Sequence, residues 1–171
     1  TQFYRWVGVM TKSDDTLFYA IRNLASGKWE GIASFLRIQP DAGSIEVGHI
    51  SFAPPLQQTT AATEAMFLMM HWAFEAGYRR YEWKCNALNT QSRRAAQILG
   101  FTYEGIFRQA TVVKGRNRDT AWFAIIDKEW SALKEAYDVW LSPSNFGQNG
   151  EQKEQLGNLT GLVRAASDPV L

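Results

Sequence analysis

The chain has little with which to build a covalent or metal-held scaffold. One cysteine, Cys85, cannot close an internal disulfide, and two histidines cannot assemble a Cys/His metal cluster. A reducing, cytoplasmic setting and chemistry without a metal are the expectations. Charge of one sign is missing as well: 18 Lys and Arg against 17 Asp and Glu leave a net charge of +1, which removes the electrostatic drive for non-specific nucleic-acid binding. Long apolar runs are absent. The stretch Ala65 to Phe74 is interrupted by His71 and is too short to cross a bilayer, and no basic-then-apolar leader opens the sequence. A soluble protein with neither nucleic acid nor membrane as partner follows. What is present is core material, since 46% of the 171 residues are hydrophobic, with 7 Trp and 10 Phe, enough for a single compact domain.

Periodicity organises that material. Phe3, Trp6, Val7 and Met10 fall on one helical stripe within residues 1 to 12. Leu17 to Arg22, Gly31 to Ile38 and Ser44 to Phe52 are strand-like segments separated by turn-forming Ala-Ser-Gly and Gln-Pro-Asp-Ala-Gly. Pro54-Pro55 ends strand pairing, because proline cannot donate to a ladder. Residues 60 to 76 read as a helix apolar nearly all round, hence one buried against a sheet. Gly77 stops it, and Tyr81, Trp83 and Cys85 then alternate with Arg80, Glu82 and Lys84 in a half-buried strand. A short helix over Asn89 to Leu99 ends at Gly100, and two strands, Phe101 to Val113 and Thr120 to Ile126, follow across a loop at 114 to 119. The last helix is Asp127 to Leu141, with Trp130, Leu133, Tyr137 and Trp140 as its stripe. Residues 142 to 171, rich in Gly, Asn and Gln, are expected to form a loosely structured tail. The fold class is α+β: a mixed, mostly antiparallel sheet flanked by helices, in one domain over residues 1 to 141.

Several short motifs occur in an order that identifies more than a fold class. Asn89 and Ser92 stand in the first turn of the short helix, which runs through Leu99-Gly100-Phe101 into Glu104-Gly105. The strand-to-helix junction reads Gln57-Gln58-Thr59-Thr60-Ala61-Ala62. Glu46-Val47-Gly48, Arg108-Gln109-Ala110, Asp119, Asp127 and Glu129-Trp130 complete the set. Together they resemble the GCN5-related N-acetyltransferases (GNAT), and within them the ribosomal-protein N-acetyltransferase branch, over residues 17 to 141. Such proteins usually begin with one more strand and helix, so the opening elements are expected to be missing or reduced to residues 1 to 12.

The resemblance implies acetyl-coenzyme A as co-substrate and an amine acceptor, either a protein N-terminus or an amino-acid-like small molecule, in a monomer or homodimer. It implies that main-chain groups of Gln57, Gln58, Thr59, Thr60, Ala61 and Ala62 hold the coenzyme pyrophosphate, although Thr60 stands where glycine is usual. It implies that the strand stretch His49 to Phe52, including Ile50 and Phe52, holds the thioester carbonyl. Asn89 resembles the amide that meets the pantetheine arm, though asparagine is also a preferred helix N-cap. Ser92 resembles the serine that stabilises the leaving thiolate, though a first-turn serine facing solvent reads equally well, and Ala96 stands where many relatives carry a tyrosine. The branch's usual glutamate base is replaced by Thr111. That leaves Glu46, His49 and Asp119 as candidate bases, with Thr111 and Asp119 bordering the acceptor. Strict strand alternation puts Glu46 and His49 on opposite faces unless a bulge intervenes. The rival reading is a non-catalytic acyl-coenzyme A binder or interaction module on the same fold.

Overall fold

The computed structural model describes residues 1–171, which form two compact units, Thr1–Tyr78 and Arg79–Leu171. The first contains α1 (Gln2–Met10), β1 (Leu17–Asn23), β2 (Lys28–Gln39), β3 (Ser44–Phe52) and α2 (Thr60–Glu75). β1 pairs antiparallel with β2, and β2 with β3. The tight turns sit where the sequence has Ala-Ser-Gly and Asp-Ala-Gly, and Gly27, with φ 69°, donates its N–H to Asn23 O at 2.8 Å. The core of this unit is Ala33, Phe35, Ile45, Val47, Leu56, Met66 and Met70. Each large apolar side chain so buried stabilises by roughly 1.5–3 kcal/mol.

α1 forms as read, and none of its residues is buried. One expectation for this unit needs correction. α2, read as apolar nearly all round and hence buried against a sheet, buries only the stripe Ala62, Met66, Phe67, Met70 and Ala73, while Leu68 and Trp72 are exposed. Composition reports how apolar a helix is and not which face meets the sheet.

The second unit contains β4 (Arg80–Asn86), α3 (Thr90–Ile98), β5 (Thr102–Val113), β6 (Arg116–Ile126), α4 (Asp127–Leu141) and α5 (Leu156–Gly161). β6 lies between β4 and β5, antiparallel to both. β4 alternates as read, with Tyr81, Trp83 and Cys85 buried. On its other face Arg80 and Lys84 both bond Glu82, at 2.6 Å each, and the Lys84 ammonium lies 4.0 Å from the centre of the Trp122 ring. Gly100 ends α3 with φ 96°, and a Cβ there would come within 2.5 Å of Leu133 Cδ1, so glycine is required twice over. The Tyr137 hydroxyl donates to Leu99 O at 3.0 Å from α4, which buries Leu133, Tyr137 and Trp140.

The expected loop at 114 to 119 contracts to a two-residue turn, Lys114-Gly115, with φ 50° and 73°, and Arg116 to Asp119 belong to β6. Paired positive φ values suit the twist of a hairpin, so the strands run to its tip. The segment after Pro143 is not a loose tail. Leu156 and Thr160 are buried, Thr160 Oγ1 donates to Ile98 O at 2.9 Å, and Tyr103 N–H donates to Ala166 O at 3.1 Å. Its polar composition conceals specific hydrogen bonds to α3 and β5.

Candidate active site

A bulge interrupts β3. Ser34 pairs with Gly48 and Ile32 with Ser51, so two steps along β2 oppose three along β3. The extra residue is taken up at His49, whose φ of 49° is left-handed. Alternation therefore breaks at the position where the sequence left it open. Glu46 is buried, with Oε1 accepting from Arg37 Nη1 at 2.7 Å, whereas His49 is exposed. The imidazole is nevertheless fixed. Its Nδ1 lies 2.8 Å from the hydroxyl of the fully buried Ser34, and its ring sits 5.1 Å from that of Phe18. Ser34 also lies 3.2 Å from Gly48 O; when its one hydroxyl proton goes there, Nδ1 carries hydrogen and Nε2 presents a lone pair. Ser34 escaped the sequence reading because strand register alone brings it to His49.

The chain leaves β3 through a turn anchored by Leu56, which is fully buried, and by Gln57 Nε2 donating to Phe52 O at 2.9 Å. Thr59 caps α2: its hydroxyl accepts from Ala62 N–H at 3.2 Å and donates to Leu56 O at 2.7 Å. The positive φ of this junction belongs to Gln58, at 59°, and Thr60 is already helical. Threonine in place of glycine at 60 thus costs no backbone strain. The N–H groups of Thr60 and Ala61 have no acceptor in the helix and stand at the positive end of its dipole, with no acidic residue in the first turn. The residues present fit a phosphate group.

In the second unit the exposed Asn89 caps α3, its side-chain oxygen accepting from Ser92 N–H at 3.0 Å. Ser92 is half-buried rather than facing solvent: Trp83 Nε1 donates to its hydroxyl at 3.0 Å, and the hydroxyl also bonds the Cys85 thiol. Burial raises the Cys85 pKa despite that hydrogen bond and the nearby Arg93 and Arg118. Trp83 was legible as a buried strand residue, but its hold on Ser92 depends on where α3 lands. Ala96, a methyl group where many relatives carry a tyrosine, offers no hydroxyl and is fully buried.

β5 carries a wide bulge, with four steps from Phe107 to Thr111 opposing two from Thr120 to Arg118. Gln109 occupies it with φ 49° and donates its N–H to Asp119 Oδ1 at 2.7 Å; Asn117 Nδ2 reaches the same oxygen at 2.8 Å. These two hydrogen bonds, Gln109 first, lower the Asp119 pKa. A cavity of about 660 Å³ opens beside them, lined by Ile106, Phe107, Arg108, Gln109, Asn117 and Asp119. Thr111 is exposed beyond the bulge and does not line it.

These features have counterparts among known proteins. The profile of the GNAT acetyltransferase domain matches residues 1–102. The chain belongs to the GNAT acetyltransferase family. A solved GCN5-related N-acetyltransferase from Brucella melitensis is 52% identical, with a TM-score of 0.90 over 94% of this chain and 73% of that one. A probable GNAT-family acetyltransferase from Chromobacterium violaceum is 43% identical, with a TM-score of 0.73 over 76% and 66% of the two chains. The ribosomal-protein-serine acetyltransferase of Escherichia coli strain K12 is 31% identical over 100 residues, 58% of this chain and 56% of that relative. The chain therefore spans little more than half of this curated relative. The fold is the GNAT one, a mixed and mostly antiparallel arrangement of six strands with five helices. Among the described residues no group of His, Cys, Asp and Glu could hold a metal ion, and no helix is long and apolar enough to cross a membrane.

Proposed function

We propose that this GNAT-family chain transfers an acetyl group from acetyl-coenzyme A to a primary amine by direct attack. The α2 N-terminus holds the pyrophosphate through the N–H groups of Thr60 and Ala61, with Gln57, Gln58, Thr59 and Ala62 shaping the turn. Ile50 and Phe52 offer main-chain N–H groups to the thioester carbonyl, and the Asn89 amide holds the pantetheine arm. In the reaction the amine nitrogen forms a bond to the carbonyl carbon, the carbon–sulfur bond breaks, and the sulfur leaves with its electron pair. His49 Nε2 takes the proton that the amine loses. Ser92, which already accepts a hydrogen bond from Trp83, turns its own proton from Cys85 to the leaving sulfur.

The observation that carries this reading is the β3 bulge, which presents an imidazole braced by buried Ser34 in the strand expected to hold the thioester. Glu46, the other candidate base on this strand, is buried with its carboxylate tied to Arg37, which favours His49 for the proton. Asp119 holds the hairpin bulge, so its contribution to acceptor binding is the shape of the cavity beside it. The acceptor we favour is a protein N-terminal α-amine, on the likeness to the ribosomal-protein-serine acetyltransferase, with amino-acid-like small molecules as the second class.

The test is a calorimetric titration with acetyl-coenzyme A followed by transfer assays on N-terminal peptides and amino-acid amines. One-site binding with transfer is expected; failure to bind at millimolar coenzyme would defeat the proposal. The engagement of Ser92 with Trp83 and Cys85 favours the rival, a non-catalytic binder, and binding without transfer to any amine would establish it.

A further inference from the structure

α3 has nine residues, too few to hold its shape without tertiary support. Midway along it Arg93 is 5% exposed, and its guanidinium is spent on two targets. Nε and Nη2 bond Asp168 Oδ2 and Oδ1 at 2.6 and 2.5 Å, forming a bidentate pair with a carboxylate that is itself 2% exposed. Nη1 donates to Ala87 O at 2.8 Å, in the turn that delivers Asn89. Asp168 is in turn placed by its surroundings: its N–H donates to Gln97 Oε1 at 2.7 Å, and Arg164 Nη1 reaches Gln97 O at 2.8 Å. The C-terminal segment thus grips α3 at its last turn and, through one buried arginine, at its first. A cation as deeply buried as Arg93 cannot remain in place without its partner, because desolvation would go uncompensated.

We infer that Asp168, acting through Arg93, is a positioning residue that sets Ala87, Asn89 and Ser92 for the coenzyme. This rests on the coenzyme role proposed for Asn89 and Ser92, but it has a readout of its own. Cys85 is the only cysteine and lies beneath α3, hydrogen-bonded by Ser92, so its reactivity reports whether the first turn of α3 is held down.

The experiment measures, in the full chain, the acetyl-coenzyme A Kd by calorimetry and the rate of Cys85 labelling by a neutral thiol reagent. Wild type is compared with Asp168→Asn and with the paired variant Arg93→Met, Asp168→Leu, which removes both charges and retains apolar volume. In Asp168→Asn we expect the Kd to rise about tenfold, equivalent to about 1.4 kcal/mol, with a similar rise in labelling rate. A purely structural role predicts that the paired variant, its stability restored, recovers the wild-type Kd and labelling rate; positioning through Ala87 predicts that it recovers neither. Wild-type Kd and labelling in a folded Asp168→Asn protein would overturn the inference, as would their recovery in the paired variant, whether or not Asp168→Asn folds. Should wild type itself fail to bind acetyl-coenzyme A, the coenzyme role falls separately. The labelling rates then decide whether Asp168 holds α3.

Discussion

At His49 a side chain that strand alternation alone would have assigned to one face is redirected by a single inserted residue, and its Nδ1 is engaged by Ser34 from the neighbouring strand. If this imidazole accepts the amine proton, His49→Gln should lower kcat by about 100-fold and leave the acetyl-coenzyme A KM unchanged, as steady-state kinetics with a saturating amine would show. An unaltered kcat would remove His49 from the reaction. Glu82 allows a second test at this scale. Burial alone would raise its pKa, but hydrogen bonds from Lys84 and Arg80 outweigh that and lower it. Because the folded value lies below the unfolded one, the resulting stability is complete above the ordinary glutamate range and is lost as pH falls through the depressed value. Glu82→Gln should therefore destabilise by about 2 kcal/mol near neutral pH and by progressively less in acid. Denaturant unfolding at several pH values would reveal a constant difference if the ion pairs were irrelevant.

Among the elements, α2 separates binding from stability. An acidic residue in its first turn faces the positive end of the helix, where it stabilises by about 0.5 kcal/mol, yet it occupies the place assigned to phosphate. Thr60→Glu should accordingly raise the unfolding midpoint slightly while weakening acetyl-coenzyme A at least tenfold by calorimetry. Unchanged affinity would move the phosphate site elsewhere. β5 illustrates the reverse, an element whose irregularities the sequence did not announce. Gln109 at φ 49° gave no compositional sign, because its conformation is stabilised by Asp119 ten residues away. The boundaries of β3 and α4 were legible to the residue, since proline, glycine and apolar period mark them locally.

For the whole molecule, binding of the coenzyme is linked to stability. A protein whose folded form binds acetyl-coenzyme A and whose unfolded form does not gains about 2.7 kcal/mol at a hundred times Kd. Thermal unfolding with and without the coenzyme should show a rise in midpoint, and the absence of any rise at millimolar concentration would contradict the proposed site. Composition and period determined the elements as far as Leu141 and their order, and the motifs carried the resemblance to the family, because all of these are written in residues close together along the chain. Only the tertiary structure decided the bulge that turns His49 outward, the engagement of Ser92 by Trp83, and the burial of Arg93 against Asp168, 75 residues on. Each of these depends on register or docking between distant segments, and burial energy, which has no period in the sequence, selects them.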